Sequence, residues 1–118
     1  MTVENFDNYF QLLAHDGYVS VNKVLIKEVG VEAALLYGEL CSEYNYFHIH
    51  RMLETDGAFY STVENIEKNI YMNDYAQRKA FKVLEERNLV TISKRGLPPK
   101  RYIKLNGAEL GKLLRANL

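Results

Sequence analysis

Apolar positions recur at helical spacing over several stretches of this chain, and the rhythm changes near its last third. Between Val31 and about His48, the residues Ala33, Ala34, Leu36, Tyr37, Leu40, Cys41 and Tyr44 return at steps of three and four. Glu32, Glu39, Ser42 and Glu43 fill the other face, which predicts one long amphipathic helix. Ahead of it, Phe6, Tyr9, Phe10, Leu12 and Leu13 predict a short helix within 1–16 that ends near Asp16-Gly17. Residues 18–22 read as extended, and residues 23–29 as one or two helical turns closed by Gly30. Residues 47–55 form a linker without a regular pattern. Asp56-Gly57 is a turn signal, and Ala58-Phe59-Tyr60-Ser61 reads as a short strand.

The next stretch reads helix, short turn, longer helix, strand, tight loop, strand. Thr62 stands before Val63, Ile66 and Ile70, so it is placed to N-cap a short helix. Asp74 with Gln77 three residues on predicts a capping box for the second helix, where Ala80, Phe81 and Leu84 form the core-facing stripe. Asn88 tolerates the left-handed conformation that a helix end often needs. Leu89-Val90-Thr91-Ile92 then turns to β-branched chemistry, Gly96-Leu97-Pro98-Pro99 interrupts it, and Tyr102-Ile103-Lys104-Leu105 resumes it. The prediction is a mainly α fold with a small antiparallel β-hairpin, a winged helix-turn-helix with extra N- and C-terminal helices. The strand at 58–61 is expected to pair with the wing. Residues 1–118 form a single domain with its core at about 18–105, flanked by helices at 1–16 and 107–118. In the last of these, Leu110, Leu113, Leu114 and Leu118 share one face.

Composition narrows the class. At 118 residues, 47% hydrophobic and 25% charged, the chain has the size and make-up of one globular domain. Cys41 is the single cysteine, so no disulfide framework is possible within the chain, which fits a reducing cytoplasm. No apolar run has the length of a membrane span.

Charge adds a functional direction. The chain is neutral overall, yet residues 73–104 hold nine cations against three acids, about +6. Residues 1–72 hold four cations against eleven acids, about −7. The positive charge lies on one helix and one wing, the footprint expected of a phosphate-backbone binder. Lysine and arginine also guard exposed sheet edges, which is the plainer reading of the same residues. On the second helix, Tyr75, Gln77, Arg78, Lys79 and Lys82 are expected to face outward. Arg78 suits a guanine edge and Gln77 an adenine edge, with Lys79 behind them and Lys82 on the backbone. Asn73 precedes that helix. In the wing, Lys94, Arg95, Lys100 and Arg101 flank a tip stiffened by two prolines. Lys68, and Thr62 at a helix start, add candidate phosphate contacts.

Other chemistry is sparse. Phe47-His48-Ile49-His50 would put two histidines on one face of a strand, but no cysteine pair or carboxylate cluster stands near them in sequence, and no metal is expected. Cys41, on the apolar helix face, is expected to be a buried small hydrophobe. No nucleophile elbow, phosphate loop or paired-carboxylate motif is present, so neither enzymatic activity nor a cofactor is expected.

The chain resembles the N-terminal winged-helix domain of phage and plasmid replication-initiation or replisome-organiser proteins of Gram-positive bacteria, in particular the DnaD-like group. The matching stretches are Asp16–Leu25, Ala33–Leu40, Gly57–Glu67, and Gln77–Leu84 through Gly96–Tyr102. The resemblance implies binding of double-stranded origin DNA or replisome assembly, often as a homodimer, here expected through the terminal helices, with a replisome protein as a further partner. Such proteins carry an additional C-terminal domain, so the chain reads as one domain of a longer protein or as a small stand-alone regulator of transcription. A winged helix that docks a protein partner is the alternative function, and the acidic first half suits a basic partner.

Overall fold

Asn22 opens the first described helix by accepting hydrogen bonds from the backbone N–H groups of Val24 (2.8 Å) and Leu25 (3.1 Å). The computed structural model describes Tyr9 and residues 17–118, so the helix expected over 1–16 lies outside the described residues except for Tyr9, which is helical and exposed. Helix α1 spans Lys23–Val29 and α2 spans Val31–Ile49; Gly30, at φ 90°, turns the chain between them. Strand β1 is Phe59–Tyr60, α3 is Val63–Ile70 and α4 is Asp74–Glu86. Strands β2 (Val90–Arg95) and β3 (Lys100–Leu105) form the wing, and α5 (Gly107–Arg115) follows.

The sheet is antiparallel in the order β1-β3-β2, with Phe59 opposite Ile103 and Ile92 opposite Ile103 on its other side. The expected pairing of the short strand with the wing is therefore present. Asn88 adopts the expected left-handed backbone at φ 57° after α4. Leu36, Tyr37, Leu40, Phe59, Ile66, Leu84, Leu89 and Ile103 are fully buried, so α2 lies under α3, α4 and the sheet. Leu113 of α5 joins this core and Leu110 and Leu114 pack against it, whereas Leu118 is fully exposed. Gly38 lies where the backbone of Ser20 crosses α2; any Cβ there would run into the Ser20 carbonyl oxygen.

Several expectations fail for identifiable reasons. Glu39 and Glu43, expected on a solvent face, are buried because α3 and the chain entering it cover that side of α2. Asn69 Nδ2 donates to Glu39 at 2.9 Å and Ser61 Oγ donates to Glu43 at 2.7 Å. Burial pushes the Glu43 carboxyl up to about 7; the Ser61 hydrogen bond opposes the shift and neighbouring Glu39 adds to it. Cys41, expected to be buried, is exposed. His48 lies on a helix rather than a strand, because α2 runs on to Ile49. It stacks on Tyr44 with ring centroids 5.8 Å apart, and His50 caps the helix end beside Tyr46.

Candidate nucleic-acid interface

Two helix caps set the geometry of the helix pair. Thr62 Oγ1 accepts from the Asn65 N–H at 3.0 Å, as its position predicts, and that oxygen is thereby engaged. Helix α4 is capped one residue earlier than expected: Asn73 Oδ1 accepts from the Ala76 N–H at 2.9 Å, and Asp74 is the first helical residue. Between the helices Tyr71 takes a left-handed backbone (φ 56°) and ends α3, leaving its ring 89% exposed.

The shift in capping accompanies a correction to the face of α4. Gln77 shares the buried stripe with Ala80, Phe81 and Leu84, at steps of three, one and three, and is completely buried. Its Nε2 donates to the Met72 carbonyl oxygen at 2.8 Å and to that of Val63 at 3.0 Å. Gln77 is thus a clasp between α4 and the chain around α3, not an adenine reader.

The opposite face of α4 is open. Tyr75, Arg78, Lys79 and Lys82 line a shallow exposed cleft along it. Among the described residues Arg78 has one ion pair, a long contact to Asp74 at 3.6 Å between two exposed side chains, a pairing that contributes little. Lys79 Nζ sits 4.9 Å from the Tyr75 ring centre. Lys68, in the last turn of α3, is exposed as well.

The strand register divides the wing cations. Side chains alternate across a strand, so Lys94 and Arg101 share the face of Phe59 and Ile103, whereas Arg95 and Lys100 share the other. Arg101 is drawn inward: its guanidinium lies 4.9 Å from the Phe81 ring centre and its Nε donates to the Ser61 carbonyl oxygen at 3.1 Å. Burial lowers its pKa, against the attraction of Glu43 and more distant acids. Arg101, expected as a free cation, is instead part of the packing between wing and core. Arg95 is also committed, donating to Asp56 at 2.7 and 3.2 Å; that hydrogen bond holds the Asp56 carboxyl down to about 2. Lys94 and Lys100 remain exposed, and Leu97 at the tip is 98% exposed.

Sequence reasoning missed Tyr60, Tyr71 and Tyr102 as surface features. An aromatic residue in a turn or strand reads as core until register and backbone conformation are known.

No known family matches the sequence, and no curated protein matches it. In three dimensions the chain is similar to a solved structure described as "N-Terminal domain of DNA binding protein", with a TM-score of 0.64, 17% identity, and coverage of 99% of this chain and 95% of that one. It is also similar to "Structure of Rep-DNA complex" (TM-score 0.64, 18% identity, 90% of this chain and 83% of that one). A third, "Structure of MDR initiator", has a TM-score of 0.59 at 17% identity and covers 100% and 99%. At these identities the likeness lies in the fold, and that fold is the winged helix.

Proposed function

We propose that this protein binds double-stranded DNA, with α4 in the major groove and the wing on the neighbouring backbone, and acts in the initiation of replication. The observation that carries the reading is the exposed stripe Tyr75, Arg78, Lys79 and Lys82, set on the side of α4 opposite its buried residues and, among the described residues, paired with acids only through the long Arg78–Asp74 contact. Arg78, in the second turn of α4, is the residue for a base edge; Lys79 supports it, and Lys82 and Lys94 meet phosphates. Lys68 extends the same positive surface. The two solved structures described as a Rep-DNA complex and an initiator give the reading its biological direction. A homodimer through the terminal helices belongs to the same proposal. Of the leucines expected on one face of the last helix, Leu110, Leu113 and Leu114 pack on the protein's own core, and Leu118, beyond the end of α5, is left wholly open.

The test is binding of purified protein to random duplex DNA, and to duplex from around its own coding sequence, at two salt concentrations. Salt-sensitive binding that prefers the latter and is weakened by Arg78→Ala supports the reading. Absence of binding at low salt overturns it and makes the stripe a protein-docking surface.

A further inference from the structure

The face of the sheet turned away from the core is built differently from the α4 stripe. The register that points Phe59, Arg101 and Ile103 inward places Tyr60, Lys100, Tyr102 and Lys104 together on the outer side. Tyr60 and Tyr102 stand directly across from each other on neighbouring strands, their ring centroids 6.0 Å apart and tilted by 46°. Lys100 Nζ lies 5.3 Å from the Tyr60 ring centre, and Arg95 Cζ lies 5.4 Å from that of Tyr102. Tyr60 is 39% exposed. A cross-strand aromatic pair by itself stabilises a sheet. The cations around this pair are what make it more than packing: Lys100 and Arg95 lie over the two rings, and although Asp56 pairs with Arg95, Lys100 and Lys104 keep this face positive.

We propose that this outer sheet face binds single-stranded DNA, with unpaired bases stacking on Tyr60 and Tyr102 and phosphates meeting Lys100 and Lys104. Aromatic rings set among cations on an open surface match what unpaired strands require, because every base has a π-face and every link a negative charge. Duplex DNA offers no free base faces to such a platform, since its bases are stacked on one another; it presents phosphates and base edges, which suit the α4 stripe. Helix α4 packs on the inner face of the sheet through Phe81 and Arg101, whereas the tyrosine pair stands on the outer face. The platform does not depend on α4 binding duplex DNA, so either surface can fail without the other.

The experiment measures anisotropy of labelled oligo(dT) of about 15 nucleotides, and separately of a labelled duplex, with the whole chain at low salt. Wild-type protein is expected to bind the oligo(dT). The double variant Tyr60→Ala, Tyr102→Ala should lose roughly ten-fold or more in oligo(dT) affinity and keep its duplex affinity. Tyr60→Phe with Tyr102→Phe should keep both, because the stacking surface remains. Arg78→Ala should show the reverse pattern, losing duplex and keeping oligo(dT). The chain has no tryptophan, so Tyr102→Trp supplies a single fluorophore that stacked thymines should quench, a readout that stands even if the double alanine variant fails to fold. Failure of wild type to bind oligo(dT), equal losses for oligo(dT) and duplex in the alanine variant, or binding without quenching would each overturn the proposal.

Discussion

The Gln77 side chain closes on the Met72 carbonyl oxygen at 2.8 Å, across the turn between α3 and α4, while the adjacent Arg78 points to solvent. Neighbouring positions on one helix therefore have opposite roles. Gln77→Ala removes the donor to two carbonyls and leaves a void, so it is expected to destabilise the fold by about 1–3 kcal/mol. Arg78→Ala should change stability by less than about 0.5 kcal/mol. Urea unfolding of both variants checks this, and the assignment fails if Arg78→Ala proves the more destabilising.

Phosphate contacts and base contacts should separate in binding data. Lys82→Ala is expected to weaken all duplexes by similar factors and reduce the salt slope by about 1. Arg78→Ala should instead cost roughly 1–3 kcal/mol on a preferred site and less on random duplex. Titrations of each variant against both duplexes across a salt series decide it; parallel losses for the two variants would count against a reading role for Arg78.

Gly38 and Gly111 should respond in opposite directions to the same change. At Gly38 an added Cβ meets the Ser20 carbonyl oxygen, backbone that cannot step aside locally, so Gly38→Ala is expected to cost about 1–3 kcal/mol. At Gly111, inside α5, the added methyl faces only the flexible Arg115 side chain, and helix propensity favours alanine by about 0.5–1 kcal/mol. Thermal or urea midpoints of the two single variants give the signs directly.

Glu43 makes stability depend on pH. Its carboxyl titrates near 4.5 when free and at about 7 in the fold, chiefly because burial penalises the charge. The folded state thus holds a proton that the unfolded chain releases across that interval. The associated stability is complete below about 4.5 and is lost as pH rises through about 7. Glu43→Gln keeps an oxygen for the Ser61 hydroxyl and cannot ionise. Relative to this variant, wild type should lose stability between pH 5 and pH 8. A constant difference between the two proteins over that range would refute the assignment.

Much of the fold can be read from local signals because those signals act within a few residues. Thr62 before Val63, Ile66 and Ile70, the break at Gly96-Leu97-Pro98-Pro99, and Asn88 after the second helix each mark a boundary through their own backbone or hydrogen-bonding chemistry. Asn73 and Asp74 are both good caps and stand side by side. That choice moves only the helix start; the stripe Ala80, Phe81 and Leu84 already sets the phase of α4, and Gln77, three and four residues before Ala80 and Phe81, falls on it despite its polar side chain.

The amino-acid sequence by itself determined the order of elements, the stripe Ala80, Phe81 and Leu84 that faces the core, and the concentration of positive charge between residues 73 and 104. Tertiary structure decided which of those charges are available. Arg101 is folded over Phe81, Arg95 is neutralised by Asp56 from a distant turn, and Glu39 and Glu43 are covered by α3 and the segment leading into it. These outcomes depend on partners between 18 and 40 residues away in the chain. Periodicity reports the side of an element on which a residue lies. What covers that side is set by how the elements pack.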